Sequence, residues 1–121
     1  MNSTRRLSLT SELANATALL TAAGMRVDVS NTHPDDAAED EAFALVLREA
    51  TTNILRHPRA TEVSIVLTPS SLTISNDGAA HEARPLRGLA ALRERVTHAG
   101  GDLDIRHEGE TFALHATVVR A

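Results

Sequence analysis

The sequence contains no cysteine, no tryptophan and no tyrosine, and Phe43 and Phe112 are its two phenylalanines. Without cysteine, disulfide frameworks, thiol catalysis and cysteine-ligated zinc sites are all excluded. With so few aromatic rings, we do not expect a protein that binds nucleic acid by stacking bases on aromatic side chains.

Lysine is absent as well, because all 12 basic residues are arginine. This excludes Schiff-base chemistry and the phosphate-binding lysine of a P-loop. The net charge of −4 argues against a nucleic-acid partner. No apolar run approaches the roughly 20 residues that span a bilayer, and no apolar stretch follows Arg5 and Arg6 as it would in a signal peptide. We therefore expect a cytoplasmic domain without direct membrane contact, although a longer protein carrying it could be membrane-anchored.

The hydrophobic pattern predicts one α+β domain. A length of 121 residues with 42% hydrophobic residues suits a single compact domain with a real core. Helical periodicity predicts helices over 9–23, 36–57 and 89–99. Alternation predicts strands over 25–29 and 62–68, around Leu72 and Ile74, from Leu103 to a turn at Glu108 and Gly109, and over 112–118. The simplest packing is a two-layer α/β sandwich, with a mixed sheet of about five strands and three helices on one face.

A polar stripe follows the apolar stripe of the second predicted helix. Glu49, Asn53, Arg56 and His57 stand at positions i, i+4, i+7 and i+8 of this helix. Carboxylate and amide oxygens suit Mg²⁺, and arginine donates to phosphate oxygens, so the stripe fits a metal–polyphosphate ligand. On spacing alone, an ordinary solvated helix face is the more common explanation.

Two further segments fit a phosphorylated ligand, each with a simpler explanation beside it. Asn76, Asp77 and Gly78 follow a predicted strand, where polar acceptors and a glycine permit close approach to a ligand, or simply form a tight turn. Gly88 precedes the third helix, whose free N–H groups attract phosphate, or it is a flexible entry into a surface helix. The other histidines lack metal-site spacing, and we expect them to be incidental; they are His33, His81, His98, His107 and His115.

Taken in this order, the segments resemble the ATP-binding domain of sensor histidine kinases, which are GHKL (Bergerat-fold) ATPases. The closest likeness is to the nitrate-sensor and desaturase-sensor type. Their N box, Glu-x-x-Thr-Asn-x-x-Arg/Lys-His, is matched by Glu49, Thr52, Asn53, Arg56 and His57. Their two glycine boxes resemble residues 76–80 and 86–95, and a late Gly-Thr pair resembles Glu110 and Thr111. The resemblance covers nearly the whole chain, and residues 1–8 look like the remnant of a linker from a dimerisation domain.

The resemblance implies the activity and the role of each residue. The domain would bind ATP and Mg²⁺ and transfer the γ-phosphoryl group to a histidine on a separate dimerisation domain, from which a response regulator receives it. Glu49 would be the catalytic polar or basic group, and Asn53 would bind Mg²⁺. The implied ATP-binding residues are Asn53, Arg56, His57, Asn76, Gly78, Gly88, Leu89 and Thr111. Since no histidine lies in an acceptor-helix pattern, we expect no autophosphorylation by this chain alone.

Departures from the family pattern keep two alternatives open. Asn76 stands where the family has an aspartate that binds adenine. Glycines of the family are replaced by Ala80, Leu86, Ala91 and Glu110, and the lid segment over 79–87 is short. The chain could therefore be a degenerate nucleotide-binding or docking module without catalysis. It could also be a stand-alone GHKL serine kinase that regulates by binding, similar to the anti-sigma-factor kinases.

Overall fold

The computed structural model describes residues 8–33, 40–56, 59–78 and 89–118. Its helices are α1 (Leu9–Ala22), α2 (Asp40–Leu55) and α3 (Leu89–His98). Its strands are β1 (Arg26–Asn31), β2 (Glu62–Thr68), β3 (Ser71–Asn76), β4 (Gly101–Glu108) and β5 (Thr111–Val118). The strands form one sheet in the order β1-β2-β3-β5-β4. Because β1 is parallel to β2 and the other pairs are antiparallel, the predicted mixed sheet and fold class are confirmed.

The sheet has one apolar face, which the helices cover, and one polar face. In β2 the residues Val63, Ile65 and Leu67 are buried, and they alternate with half-buried residues on the other face. Phe43 and Leu47 of α2 are fully buried over this apolar face. The polar face carries a hydrogen bond of 2.6 Å between Thr73 Oγ1 and His115 Nδ1. This pattern identifies which side chains of each strand face the helices.

A Schellman motif turns the chain from α1 into β1. Gly24 adopts a φ of +94°, its N–H donates to the Thr21 carbonyl (2.9 Å), and the N–H of Met25 donates to the Leu20 carbonyl (3.1 Å). Met25, predicted to begin the strand, lies in this turn and is buried. β1 continues to Asn31, two residues beyond its predicted end, because it keeps its pairing with β2.

The predicted end of α2 is wrong by two residues. α2 ends at Leu55, and the N–H of Arg56 donates to the Asn53 carbonyl (3.1 Å), an i to i−3 bond that closes the last turn. The residue before a proline avoids helical geometry, so the early end follows from Pro58. His57 and the predicted start of this helix over 36–39 lie outside the described residues.

Other predicted boundaries shift by one residue. α1 ends at Ala22 rather than at residue 23, and β5 begins at Thr111 rather than at residue 112. α3 ends at His98 rather than at residue 99. The β4–β5 turn consists of Gly109 and Glu110, because Glu108 is still paired with Thr111 in the sheet. Gly109 has a φ of +60°, as two-residue hairpins require.

A partly buried ion pair joins α1 to α2. Arg48 Nη2 donates to Glu12 Oε2 at 2.8 Å, and the Glu12 side chain is only 11% exposed. The two helices pack closely along their length. Among the described helices, none is long and apolar enough to cross a bilayer.

Candidate functional site

Strand register brings three of the sequence motifs to one end of the sheet, where β3 ends and β2 and β5 begin. The first residue of β2 pairs next to the last residue of β3, since Val63 is the partner of Asn76. Asn76 is in turn the partner of Phe112, which follows Thr111 at the start of β5. α2 ends at the same end of the sheet, because only residues 56–61 separate it from the start of β2. The C-terminal part of α2, the end of β3 and the start of β5 therefore lie at the same end of the sheet, although they are far apart in sequence.

The carboxylate of Asp77 fixes the end of β3 against the segment that follows α2. Asp77 Oδ1 accepts hydrogen bonds from the N–H groups of Thr61 (2.7 Å) and Glu62 (2.9 Å), and Oδ2 accepts one from the Thr61 hydroxyl. These bonds, the one from the Thr61 hydroxyl first, lower the pKa of Asp77 below its ordinary value of 3.8. Asp77 is thus a charged structural clamp beside Asn76.

Gly78 completes this clamp by direct backbone contact. Its φ is +73°, and a Cβ built on it would lie 2.5 Å from the Arg59 carbonyl oxygen and 2.8 Å from the Ala60 nitrogen. No side chain fits this space without strain, so glycine stabilises the fold at residue 78, whatever else it contacts. The segment just after α2 is thereby held against the end of β3.

Asn76 is a polar side chain on the apolar, helix-facing side of the sheet. It is 4% exposed and continues the buried alternation of Leu72 and Ile74 along β3. Its Nδ2 donates to the Asp77 carbonyl at 2.8 Å, which fixes the orientation of the amide. Asn76 is therefore a buried amide whose Oδ1 can still accept a hydrogen bond.

The N-box residues of α2 that the structure describes differ in exposure. Glu49 and Asn53, one helical turn apart, are half-buried, whereas Arg56 lies in the turn beyond the helix and is exposed. Arg56 therefore does not continue the predicted stripe as a helical residue. Thr51 points inward and donates to the Leu47 carbonyl at 2.7 Å. The oxygens of Glu49 and Asn53 remain the hard donors on this part of α2.

The donor set fits Mg²⁺ bound together with a phosphorylated ligand. Mg²⁺ is commonly held by one or two protein oxygens plus substrate phosphates and water. Asn53 and Glu49 can supply such oxygens from one side of α2. No group of three or more histidine, aspartate or glutamate side chains that could hold a metal ion occurs in residues 8–33, 40–56, 59–78 and 89–118.

Other predicted site residues are placed only in part. Thr111 is exposed at the start of β5, and it precedes Phe112, the residue that pairs with Asn76. Leu89 is the first residue of α3, and the structure describes its backbone but not its side chain. His57 and Gly88 lie outside the described residues.

Asn76, Phe112 and His107 form one cross-strand row on β3, β5 and β4. His107 was predicted from the sequence to be incidental. It pairs with Phe112, the partner of Asn76, and the two rings are 6.0 Å apart in an edge-on arrangement. Within the part of the chain that the structure describes, its buried Nε2 has no hydrogen-bond partner. The signal available in the sequence was alternation, since Leu103, Ile105 and His107 share the apolar face of β4.

A separate groove lies between α1 and the edge strand β1. It is a shallow groove, largely open to solvent, with a volume of about 760 Å³, and it is lined by small apolar and threonine side chains, with Leu13, Ala18 and Val29 among them. Among the residues that the structure describes, no charged side chain lines it. Its chemistry does not suit a phosphate group.

The fold is that of histidine kinase catalytic domains, at low sequence identity. No protein-family model and no curated protein matches the sequence. The cytoplasmic segment of histidine kinase QseC matches with a TM-score of 0.68 and 14% identity over 93% of this chain and 73% of that structure. Acinetobacter baumannii histidine kinase AdeS matches with a TM-score of 0.69 and 13% identity over 93% of this chain.

The matched structures are longer than this chain, and the chain covers different shares of them. The chain spans 64% of the AdeS structure, under two thirds of it. It spans 88% of a nucleotide-free catalytic domain of histidine kinase ThkA, with a TM-score of 0.67 and 10% identity over 91% of this chain. At such identities the comparison establishes the shared fold, and the activity must be argued from the residues.

Proposed function

We propose that this chain is the ATP–Mg²⁺-binding catalytic domain of a two-component sensor histidine kinase, of the nitrate-sensor and desaturase-sensor type. The observation that carries the proposal is that the end of α2 that bears Glu49 and Asn53 lies at the same end of the sheet as the buried Asn76. The fold shared with QseC, AdeS and ThkA supports it.

Asn76 is the proposed adenine-binding residue. Its Nδ2 is engaged by the Asp77 carbonyl, which leaves Oδ1 to accept a hydrogen bond from the exocyclic amino group of adenine. The neighbouring apolar side chains of Ile74 and Phe112 suit the faces of a purine ring. An amide acceptor lacks the charge assistance of a carboxylate, so we expect weaker base binding than an aspartate would give.

Asn53 and Glu49 serve the phosphate end of the nucleotide. The Asn53 side-chain oxygen would hold Mg²⁺, which when bound neutralises charge on the phosphate oxygens. Glu49, one turn earlier, would be the polar or basic group beside the reacting phosphate. Phosphoryl transfer depends mainly on positioning and charge neutralisation, so a few well-placed groups suffice.

The remaining nucleotide contacts and the partners follow from the family resemblance. Arg56 and His57 would meet the phosphates and line the pocket. Gly88, Leu89 and Thr111 would close it, with Gly78 beside the base. The acceptor would be a histidine on the dimerisation domain of the same kinase, and a response regulator would receive the phosphoryl group from it.

Calorimetric titration of ATP, with and without Mg²⁺, tests the proposal. We expect saturable binding that requires Mg²⁺, and we expect Asn53→Ala to weaken it by about tenfold, the loss of one ligand to a charged group. Thr17→Ala is the matched control, because Thr17 lies on α1, outside the N box, and its hydroxyl donates to the Leu13 carbonyl. Unchanged affinity in Asn53→Ala contradicts the metal role. Absence of binding in the unaltered chain contradicts the proposed function and favours a docking module.

A further inference from the structure

His107 is half-buried on the helix-facing side of the sheet, and its Nε2 is a buried atom without a hydrogen-bond partner among the described residues. It stands near the end of β4, on the same side as Leu103 and Ile105, with its ring edge-on to Phe112 at 6.0 Å. None of the described residues offers Nε2 a hydrogen bond, and the atom is shielded from solvent. Burying an unpaired polar atom is destabilising, and a phenylalanine or leucine would fill the same space without that cost.

The row across the sheet connects His107 to the proposed nucleotide site. Asn76 on β3, Phe112 on β5 and His107 on β4 are directly paired in register. Two strand spacings separate Asn76 from His107, about 10 Å along the row. A nucleotide whose base lies at Asn76 has a sugar and phosphates that can extend over Phe112 toward His107.

α3 adds a second reason for a ligand beside His107. A short turn at Ala99 and Gly100 joins α3 to β4, and the two pack antiparallel, so α3 begins toward the end of β4 that carries His107. The N–H groups in the first turn of a helix favour anions. An imidazole nitrogen on the strand below can donate to the same oxygens.

We infer that His107 is a further nucleotide-binding residue, whose Nε2 hydrogen-bonds the sugar–phosphate part of the bound nucleotide. The inference rests on the proposed function and adds a polar contact at the end of the row opposite Asn76. Phe112 lies between the two polar residues as the apolar floor. The ligand supplies the hydrogen-bond partner that the described part of the protein does not.

The test measures nucleotide affinity and thermal stability in the whole chain. His107→Phe keeps an aromatic ring and removes the nitrogen, and we expect it to weaken ATP–Mg²⁺ binding by about fivefold. His107→Gln keeps a polar nitrogen and should retain affinity closer to that of the unaltered chain. His115→Phe is the matched control, because His115 lies on the opposite face of the sheet and pairs with Thr73. This control should leave ATP affinity unchanged.

Stability without nucleotide distinguishes a ligand contact from a packing role. If Nε2 is reserved for the ligand, His107→Phe should unfold at the same or a higher temperature than the unaltered chain when no nucleotide is present. Titration with adenosine and with ADP locates the contact: a loss for both ligands assigns it to the sugar, and a loss for ADP alone assigns it to phosphate.

Two results overturn the inference, and they are distinct. If the unaltered chain binds ATP–Mg²⁺ and His107→Phe binds it equally well, the role of His107 is wrong while the proposed function stands. If the unaltered chain binds no nucleotide, the proposed function fails and the inference fails with it.

Discussion

At the scale of single residues, Gly78 occupies a backbone position that no other residue can take without strain. We predict that Gly78→Ala lowers the free energy of unfolding by about 3 kcal/mol, because a positive φ and a backbone clash act together. The Cβ would lie 2.5 Å from the Arg59 carbonyl oxygen.

Gly109→Ala is the control for that prediction. Gly109 also has a positive φ, of +60°, but a Cβ there meets nothing within 4 Å. It should lower stability by only about 1 kcal/mol, the backbone effect alone. Urea unfolding of both variants measures the difference, and equal losses would show that the contact between Gly78 and Arg59 does not exist in solution.

Asp77 makes the clamp depend on pH. Its pKa is lowered below 3.8 in the folded chain, chiefly by the Thr61 hydroxyl. The stabilisation is therefore fully present above pH 3.8 and is lost as the pH falls through the lower folded-state pKa. We predict that Asp77→Asn lowers the free energy of unfolding by about 1 kcal/mol at neutral pH, and that the difference from the unaltered chain vanishes in strong acid.

Asp104→Asn provides the comparison for Asp77. The pKa of Asp104 is also lowered, by its hydrogen bond from Arg106, but this pair lies on the exposed face of the sheet. Solvent screens such pairs, so the variant should change stability much less than Asp77→Asn. Equal effects of both substitutions in urea unfolding at neutral pH would mean that Asp77 is no clamp.

At the scale of elements, the contact between α1 and α2 depends on an unequal ion pair. The Glu12 side chain is 11% exposed and that of Arg48 is 49% exposed. Removing arginine leaves a carboxylate largely buried, whereas removing glutamate leaves a guanidinium that can turn into water. We therefore predict a larger loss of unfolding free energy for Arg48→Met, about 2 kcal/mol, than for Glu12→Gln, about 1 kcal/mol. Thermal or urea unfolding of the two variants checks this, and a larger loss for Glu12→Gln would contradict it.

Local chemistry allowed most elements to be predicted from the sequence. β2 lies where alternation placed it, and Gly24 ends α1 as the C-cap pattern indicates. The errors are at boundaries that depend on neighbours. β1 extends to Asn31 because β2 lies beside it, and Glu108 belongs to β4 because Thr111 pairs with it. Such pairing is tertiary, so no local pattern in the sequence contains it.

At the scale of the whole molecule, the candidate site could be predicted only as separate motifs. The roles of Glu49, Asn53 and Asn76 came from family resemblance, and they stay predictions. What the sequence could not supply is the register that places Asn76, Phe112 and His107 in one row. His107 was missed because the lack of a hydrogen-bond partner for its Nε2 can be recognised only from the three-dimensional structure.

Amide hydrogen exchange along the whole chain, with and without saturating ATP–Mg²⁺, is the most direct test of the proposed nucleotide site. This site lies at the end of the sheet where β3 and β4 end and β5 begins. We predict slower exchange on ligand addition in the second half of α2 and at the adjoining ends of β3, β4 and β5, with no change along the groove between α1 and β1. Binding orders the backbone around a ligand, and local opening there becomes rarer. No protection anywhere, or protection confined to α1 and β1, would contradict the account.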